Sequence, residues 1–288
     1  MLAITGATGQ LGHATIQALL PKVPPQEIVA VVRDPQKAAA LSLLGVQVRQ
    51  GDYNDPASFG AAFQGVDTVL LISTSETENE LRIRQHRQAI DAAQQAGVRH
   101  VVYTSITNPS PDSRFAASPG HFATEQYLKA SGLTYTILRN TLYLDIVPML
   151  VGQDVLTSGK IYFAAGDGQV GFALRDEIGQ VLANVLTTDG HDNQFYNIAP
   201  GPTYSFQDIA ATLNEVTGQP VAYVPISGDD LAAGMRQHQV PEPMIALLQG
   251  MASAMQDSEF DLASPTFERL LGRRPTDLKT YLTTVYGK

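Results

Sequence analysis

Short apolar runs alternate with amphipathic segments through the first half of the chain. A short apolar run bounded by turn residues predicts a buried strand, whereas apolar residues three and four apart predict a helix. The longest predicted helix runs from Leu81 to Ala96, and another is predicted to begin at Asp55 and Pro56. Strands are predicted at residues 1–4, 28–32, 46–49, 69–72, 101–104 and 134–138. The alternation predicts an α/β fold, a Rossmann-like doubly wound parallel sheet with right-handed crossovers.

The pattern loosens after about residue 140. Ser205 and Asp208 form a predicted capping box that opens a helix from Phe206 to about Val216, and residues 227–288 are predicted to be mostly helical. Residues 178–200 again show a helix followed by a strand, and we expect them to return to the sheet. The sequence therefore predicts a first domain over residues 1–145 and a smaller, mostly helical C-terminal lobe over residues 146–288.

The first predicted strand runs directly into a glycine-rich turn, after which apolar residues recur at helical spacing. Gly6 allows a tight turn, Gly9 lets the backbone approach a pyrophosphate, and Gly12 lets the helix lie close to the strand. The free N–H groups at the start of the helix favour an anion there. A strand, this spacing and a helix together predict dinucleotide binding. The alternative is an ordinary strand–helix turn that binds nothing.

Composition excludes several other classes of protein. The chain has no cysteine, which excludes disulfides and thiolate metal sites, and its six histidines are scattered, so we expect no metal site. It contains no apolar run of 18 residues and no basic segment before an apolar one, so we expect neither a membrane span nor a signal peptide, and a cytoplasmic location. The net charge of −9 disfavours nucleic acid as a partner.

The residues that follow the predicted strands indicate which dinucleotide binds. Arg33 ends the second strand, where an arginine pairs with a 2′-phosphate, so NADPH is favoured over NADH. Asp34 follows directly and is able to serve a free ribose instead. Asp52 follows the third strand, either capping adenine or simply ending the strand. Three hydroxyl residues, Ser73, Thr74 and Ser75, follow the fourth strand, where open α/β sheets hold ligands, although turn chemistry alone also explains them.

The sequence lacks the Tyr-x-x-x-Lys pair that most short-chain dehydrogenases use for proton transfer, because no lysine has a tyrosine four positions before it. The corresponding helix instead carries His121 and Glu125, which share one helical face. His121 is a candidate donor of a proton or a hydrogen bond near neutral pH. The alternative is a pair that only packs beside the cofactor. Ser105 lacks the Gly-x-Ser-x-Gly elbow of a hydrolase.

These features, with two further stretches, resemble the NmrA-like atypical short-chain dehydrogenases, and within them the branch of type 2 NADPH-dependent quinone oxidoreductases and triphenylmethane reductases. The resemblance covers nearly the whole chain. It is carried by residues 4–12, 28–34, 121–125 and 134–143, and by Val-Pro-Glu-Pro at residues 240–243. Residues 107–120, which are rich in proline and serine, resemble neither group closely, and we expect them to line or cover the substrate pocket.

The resemblance implies roles for particular residues. It places the pyrophosphate on the glycine turn, the 2′-phosphate on Arg33, and the ribose side on Ser73 to Ser75. Residues Arg139 to Leu144 would lie along the nicotinamide, and Arg175 and Asp176 match a family position near the cofactor. With Gly12 and Asp52, which come from the glycine spacing and the end of the third strand rather than from the resemblance, the candidate cofactor-binding residues are Gly6, Ala7, Thr8, Gly9, Gln10, Leu11, Gly12, Arg33, Asp52, Ser73, Thr74, Ser75, Arg139, Asn140, Thr141, Leu142, Tyr143, Leu144, Arg175 and Asp176.

Without the tyrosine, the chemistry that fits best is hydride transfer from NADPH to a flat, electron-poor acceptor such as a quinone, because the product phenolate takes its proton later from water. We expect no flavin, and a pocket walled by Tyr143, Phe172 and Phe122, with Tyr143 a candidate catalytic residue beside His121 and Glu125. These aromatics are equally compatible with plain core. One alternative function is an NmrA-type sensor that binds NAD(P) without turnover; another, disfavoured without the tyrosine and lysine, is a sugar-nucleotide epimerase. The protein is expected to be a monomer or a homodimer.

Overall fold

A computed structural model describes residues 1–287, and its largest feature is a seven-stranded sheet with the order β3-β2-β1-β4-β5-β6-β8. A second, two-stranded sheet pairs β7 with β9 in parallel. The strands are β1 (Leu2–Thr5), β2 (Ile28–Val32), β3 (Gln47–Gln50), β4 (Thr68–Leu71), β5 (His100–Ile106), β6 (Thr134–Asn140), β7 (Lys160–Phe163), β8 (Gln194–Ile198) and β9 (Ala222–Pro225). The strand order reverses between β1 and β4, which is where open α/β sheets bind ligands.

Helices connect the strands, as the alternating pattern predicts. The α-helices are α1 (Gln10–Leu19), α2 (Ala39–Leu43), α3 (Ser58–Ala62), α4 (Asn79–Gln95), α5 (Ser118–Ala130), α6 (Val147–Val151), α7 (Val155–Ser158), α8 (Arg175–Thr187), α9 (Phe206–Thr217), α10 (Gly228–Gln237), α11 (Glu242–Gln256), α12 (Thr266–Leu271) and α13 (Leu278–Tyr286). Short 3₁₀ turns lie at Pro25–Glu27, Pro35–Ala38 and Leu144–Ile146. No helix within residues 1–287 is long and apolar enough to cross a membrane.

Parallel pairing joins strands β1 to β6. Leu2 is in register with both Ile28 and Thr68, and His100 with Thr134. The predicted return of residues 178–200 also occurs, because β8 lies beside β6, with the Asn193 N–H donating to the Tyr135 carbonyl at 2.7 Å. The predicted Rossmann-like parallel sheet with a largely helical C-terminal region is confirmed.

Each face of the sheet is buried by helices. One face packs against α3 and α4 through a cluster that includes Phe59, Phe63 and Tyr103, all fully buried. On α8, Gly179 lies so close to α1 that an added Cβ would be 2.8 Å from the Ala14 carbonyl carbon. A strand buried on both faces needs apolar residues throughout, which explains the continuous apolar run of β2.

Most boundaries differ from the prediction by one or two residues, and two elements show why. The helix predicted to begin at Asp55 and Pro56 begins at Ser58 instead, because the Asp55 N–H donates to the Asp52 carbonyl and closes a turn before the helix. Strand β5 extends beyond the predicted residues 101–104 at both ends, since polar residues such as His100 and Ser105 also pair with β6.

The chain divides into two compact units. The first comprises residues 1–111, 119–140 and 175–197, and the second comprises residues 112–118, 141–174 and those from Ile198 onward. The segment of the first unit that contains β6 therefore ends at Asn140, five residues before the predicted boundary at residue 145. Helix α8 also belongs to the first unit. In the second unit, the predicted capping box is present: the Asp208 N–H donates to the Ser205 hydroxyl, and the Ser205 N–H donates to the Asp208 carboxylate.

Residues 112–118 lie between β5 and α5 in the chain but pack within the second unit. The Arg114 N–H donates to the Glu259 carboxylate at 2.8 Å, and the Ser113 hydroxyl bonds the same carboxylate. Phe115 packs edge-on against Phe260 with ring centroids 5.7 Å apart. These contacts fix the middle of the segment that the sequence predicts to line or cover a substrate pocket.

Candidate functional site

The glycine turn after β1 has the backbone geometry that its sequence predicts. Gly6 has a φ of +59°, in the left-handed region, and the Gly9 N–H donates to the Gly6 carbonyl at 2.9 Å. A Cβ on Gly12 would lie 2.4 Å from the Gly6 oxygen and 2.8 Å from the Ala7 Cα. At Gly12, the start of α1 therefore lies against the main chain of the turn without room for a side chain.

Helix α1 begins with no side-chain cap on its first N–H groups, because Gly9 occupies the N-cap position. Thr8, Gly9 and Gln10 are exposed, whereas Ala7, Leu11 and Gly12 are buried. The last three belong to the predicted site through their backbone rather than through their side chains. Uncapped N–H groups and the positive end of the helix dipole are a favourable environment for a phosphate.

The turn opens into a cleft of about 460 Å³ at the carboxyl ends of β1 to β4. The cleft brings the glycine turn together with Arg33, Asp52 and the Ser73–Ser75 segment, all of which were predicted from the sequence. Residues that line the cleft are Thr5, Gly6, Thr8, Gly9, Val31, Val32, Arg33, Asp34, Lys37, Gly51, Asp52, Tyr53, Asn54, Phe59, Ile72, Ser73, Thr74, Ser75, Glu76, Thr77 and Gln85.

Two cations lie at the end of β2. Arg33 and Lys37 both line the cleft with exposed side chains, and within residues 1–287 neither forms an ion pair. The Asp34 carboxylate accepts the Gln36 N–H at 3.0 Å and so caps the 3₁₀ turn that carries Lys37. The sequence reasoning missed Lys37. The sequence feature that indicates Lys37 is the Asp-Pro pair directly after Arg33. This pair starts a turn rather than extending the strand, and the turn keeps Lys37 close to Arg33.

The segment after β4 is held through its main chain. The Ser73 N–H donates to the Thr104 hydroxyl and the Thr74 N–H donates to Nε2 of His86, both at 3.0 Å. His86 is therefore protonated on Nδ1, which donates to the Thr124 hydroxyl at 2.9 Å. Burial lowers the pKa of His86 to about 3, so the ring is neutral at pH 7. These bonds fix the backbone of the segment at the edge of the cleft.

His121 belongs to the same buried polar network. Its Nδ1 lies 2.8 Å from the Tyr103 hydroxyl and its Nε2 lies 3.5 Å from the Arg82 guanidinium. Burial, together with the positive charge of Arg82, holds the pKa of His121 well below its usual value of 6.5. His121 is therefore a neutral hydrogen-bonding group at pH 7 rather than a charged acid, and its contact with a substrate stays a prediction.

Glu125, one helical turn beyond His121, is engaged differently. Its carboxylate accepts two hydrogen bonds from Arg139, at 2.9 and 2.7 Å, and lies 3.3 Å from the Lys129 ammonium. Glu125 is 1 % exposed, so the bidentate pair satisfies a charge that water does not reach. The guanidinium of Arg139 also lies 4.5 Å from the ring centroid of Phe195. Glu125 and Arg139 thus have each other as partners in the protein, and their roles toward a ligand stay predictions.

The remaining candidates follow β6. Asn140 is buried, and neither polar atom of its side chain has a hydrogen-bond partner in the described chain. In the second unit, Thr141, Leu142 and Leu144 are buried, and Tyr143 is half-buried and bridges to Ala173. Of the predicted pocket aromatics, Phe172 is buried and Phe122 half-buried.

Arg175 and Asp176 begin α8. Asp176 lines a groove on the surface of α1, beside His13 and Gln17, and is not among the residues that line the cleft. The predicted proximity of this pair to the cofactor stays a prediction. Within residues 1–287, no three His, Asp or Glu side chains are grouped as metal ligands.

Comparison with known proteins extends this description. The model of the NmrA-like family matches residues 1–285. Quinone oxidoreductase 2 of Escherichia coli (strain K12) is 37 % identical over 285 residues, which cover 96 % of each chain. The structure of Citrobacter sp. triphenylmethane reductase complexed with NADP(H) is 37 % identical, with a TM-score of 0.93 over 99 % of both chains. That of an E. coli NADPH-dependent quinone oxidoreductase complexed with NADPH is 36 % identical, with a TM-score of 0.94 over 100 % of both.

Proposed function

Because this chain belongs to the NmrA-like family, we propose that it is an NADPH-dependent reductase that transfers hydride directly to a quinone or a similar electron-poor aromatic acceptor, without a flavin. Full-length similarity to a quinone oxidoreductase and a triphenylmethane reductase supports an oxidoreductase as the class of enzyme. The observation that carries the choice of cofactor is the cleft, in which the glycine turn lies opposite Arg33 and Lys37, neither of which forms an ion pair within residues 1–287.

The residues of the cleft fit this dinucleotide. The main chain of Gly6 to Leu11 and the start of α1 would hold the pyrophosphate, and Arg33 with Lys37 would hold the 2′-phosphate. Asn140, at the end of β6, is not among the residues that line the cleft. Its side-chain amide has no hydrogen-bond partner within residues 1–287 and would suit the carboxamide of a nicotinamide. An uncompensated buried amide costs free energy, so its satisfaction by a ligand would add to affinity.

Bound NADPH supplies a hydride from C4 of its nicotinamide ring. Within this chain, the contribution to catalysis is mainly positioning, since the acceptor must lie about 3–3.5 Å from that carbon. The His121 ring is neutral at pH 7, and the Glu125 carboxylate accepts two hydrogen bonds from Arg139, so we assign neither side chain the delivery of a proton. A quinone fits this arrangement because hydride addition yields a stabilised phenolate that takes its proton from water.

Isotope transfer to a cationic triphenylmethane dye tests direct hydride transfer. The purified protein is incubated without added flavin, with the dye and with NADPH deuterated at C4 on either face. We expect NADPH oxidation, and deuterium on the central carbon of the colourless product with one of the two isotopomers. A flavin-mediated route would lose the label to water. A product without deuterium from either isotopomer would therefore contradict direct transfer.

A panel of benzoquinones and naphthoquinones tests the acceptor class in the same assay. The expected result is loss of the NADPH absorbance with at least one acceptor. Binding of both NADP⁺ and NADPH with comparable affinity, with no turnover on any quinone or dye, would favour the sensor function instead.

A further inference from the structure

One end of the cleft contains a buried acceptor that no group within residues 1–287 satisfies. Gln85, on α4, lines the cleft and is only 3 % exposed. Its side-chain N–H₂ donates to the Asn54 side-chain oxygen at 3.0 Å, while its Oε1 is buried with no partner in the described chain. A buried carbonyl left without a donor costs free energy, so a donor on a ligand is the natural partner.

The position of Gln85 along the sheet indicates which part of the dinucleotide would supply that donor. The turn after β1 would take the pyrophosphate and the end of β2 the ribose phosphate, so the base attached to that ribose lies toward the end of β3. Asn54, the partner of Gln85, is in the loop that follows β3. The hydrogen bond thus fixes Gln85 at the base end of the cleft.

The surroundings of Gln85 suit a flat base with one polar edge. Tyr53 and Phe59 line the same end of the cleft, with ring centroids 5.2 Å apart, and Val31 lines it from β2. The Tyr53 hydroxyl donates to the Ile72 carbonyl at 2.8 Å, so its proton is not available to Gln85. The apolar groups would cover the ring, which leaves the amide to contact its edge.

We propose that the side-chain carbonyl of Gln85 accepts a hydrogen bond from the 6-amino group of adenine and so selects an adenine dinucleotide. Asn and Gln side chains are the typical partners of the 6-amino edge of adenine when proteins read that base in DNA, which shows that a carboxamide suits this edge. Hypoxanthine carries an oxygen at position 6 and would set one acceptor against another. The inference rests on the proposed cofactor, but it concerns the base rather than the 2′-phosphate or the hydride.

Asp52 is the competing acceptor in the same loop. Its Oδ1 already accepts the Asn54 N–H at 2.9 Å, and its own N–H bonds the Ser58 hydroxyl. An Asp52→Asn variant therefore tests the competing acceptor. Gln95→Met is the matched control, because Gln95 is an exposed glutamine of the same helix and is not among the residues that line the cleft.

Calorimetric titration with NADP⁺ and with its hypoxanthine analogue tests the proposal, since the oxidised dinucleotides need no turnover. For the wild-type protein we expect the analogue to bind roughly tenfold more weakly, which corresponds to about 1.4 kcal/mol. In Gln85→Met, the affinity for NADP⁺ should fall toward that for the analogue, so the ratio of the two dissociation constants should approach one. In Gln95→Met both dissociation constants should stay near their wild-type values. In Asp52→Asn the affinities are free to change, but the ratio should be retained.

Gln85→Glu provides a second variant if Gln85→Met does not fold. A carboxylate only accepts, so the ratio should widen beyond that of the wild type. The inference would be overturned if the wild type bound the two dinucleotides equally or bound the analogue more tightly. It would also be overturned if the ratio survived Gln85→Met, failed to widen in Gln85→Glu, or was lost in Asp52→Asn. Wild-type protein that binds neither dinucleotide would overturn the proposed cofactor as well, which distinguishes the two failures.

Discussion

Gly12 is the residue at which the main chain of the turn leaves least room for a side chain. A methyl group there would meet the backbone of Gly6 and Ala7, and backbone cannot move aside as a flexible side chain does. Gly60, on the exposed side of α3, is the opposite case, because an added Cβ would have no neighbour within 4 Å. Glycine is therefore required for steric reasons at position 12, whereas position 60 has room for a larger residue.

We expect Gly12→Ala to lower the free energy of unfolding by about 2–3 kcal/mol and to abolish dinucleotide binding. Gly60→Ala should be neutral or stabilising by up to about 1 kcal/mol, because alanine is the better helix former. Urea unfolding and NADP⁺ titration of both variants would measure this. Wild-type binding by Gly12→Ala would show that the turn is not the phosphate site.

Arg33 and Lys37 carry the expected preference for the phosphorylated dinucleotide. Removal of either by substitution with alanine should weaken NADP⁺ binding by about 10- to 100-fold, since a charge-assisted hydrogen bond contributes about 1.5–3 kcal/mol. Binding of NAD⁺ should change by less than about threefold. Lys22→Ala, an exposed lysine outside the cleft lining, is the control. Equal losses for NADP⁺ and NAD⁺ would contradict the assignment.

At the scale of elements, the central strands such as β2 and β4 could be predicted because burial on both faces demands continuous apolar runs. Strands β7 and β9 were not predicted, because each has only four residues, includes exposed positions and pairs only with the other. Ser205 and Asp208 likewise predict their own helix start, since a capping box is a local interaction. The start of α3 could not be predicted, because Asp55 and Pro56 also suit the turn that they form. The ends of β5 were missed because His100 and Ser105 are polar and belong to the strand only through pairing with β6.

The capping box at the start of α9 should contribute measurably to stability. Ser205→Ala removes the acceptor for the Asp208 N–H and should lower the free energy of unfolding by about 1 kcal/mol. Thr212→Ala is the control, because the Thr212 hydroxyl only bonds a carbonyl within the same helix and its loss should be nearly neutral. Thermal denaturation of both variants would decide, and equal melting temperatures would contradict a role for the cap.

Across the whole molecule, the parts of the site that could be predicted are those in which residue type and position suffice. Gly6 and Arg33 are recognisable beside their strands. The network of Arg82, His86 and Tyr103 was not predicted, because it depends on which polar groups become buried together when distant segments pack. Lys37 was missed for a related reason, since only the 3₁₀ turn brings it to the cleft beside Arg33.

Buried neutral histidines should make the protein sensitive to acid. The pKa values of His86 and His121 are depressed in the folded state, so below pH 6.5 the unfolded chain binds more protons, and stability falls as the pH falls. For His86 the loss should approach about 1.4 kcal/mol per pH unit between pH 6.5 and 3. Urea unfolding at pH 7, 6 and 5 would measure this slope.

His86→Gln should reduce that slope by about 1.4 kcal/mol per pH unit, since glutamine retains an acceptor but takes up no proton. His238→Gln is the control, because His238 is exposed. If His86→Gln and the wild-type protein lost stability at the same rate, His86 would not be the group that takes up the proton on unfolding.

The division into two units also constrains how the protein can be cut or fused. The chain passes from one unit to the other five times, at residues 111, 118, 140, 174 and 197. A fragment that ends near residue 145 would lack both α8, which packs on α1, and the edge strand β8. Neither unit is therefore a continuous, exchangeable module, and a chimaera with a related protein would need to swap several segments together.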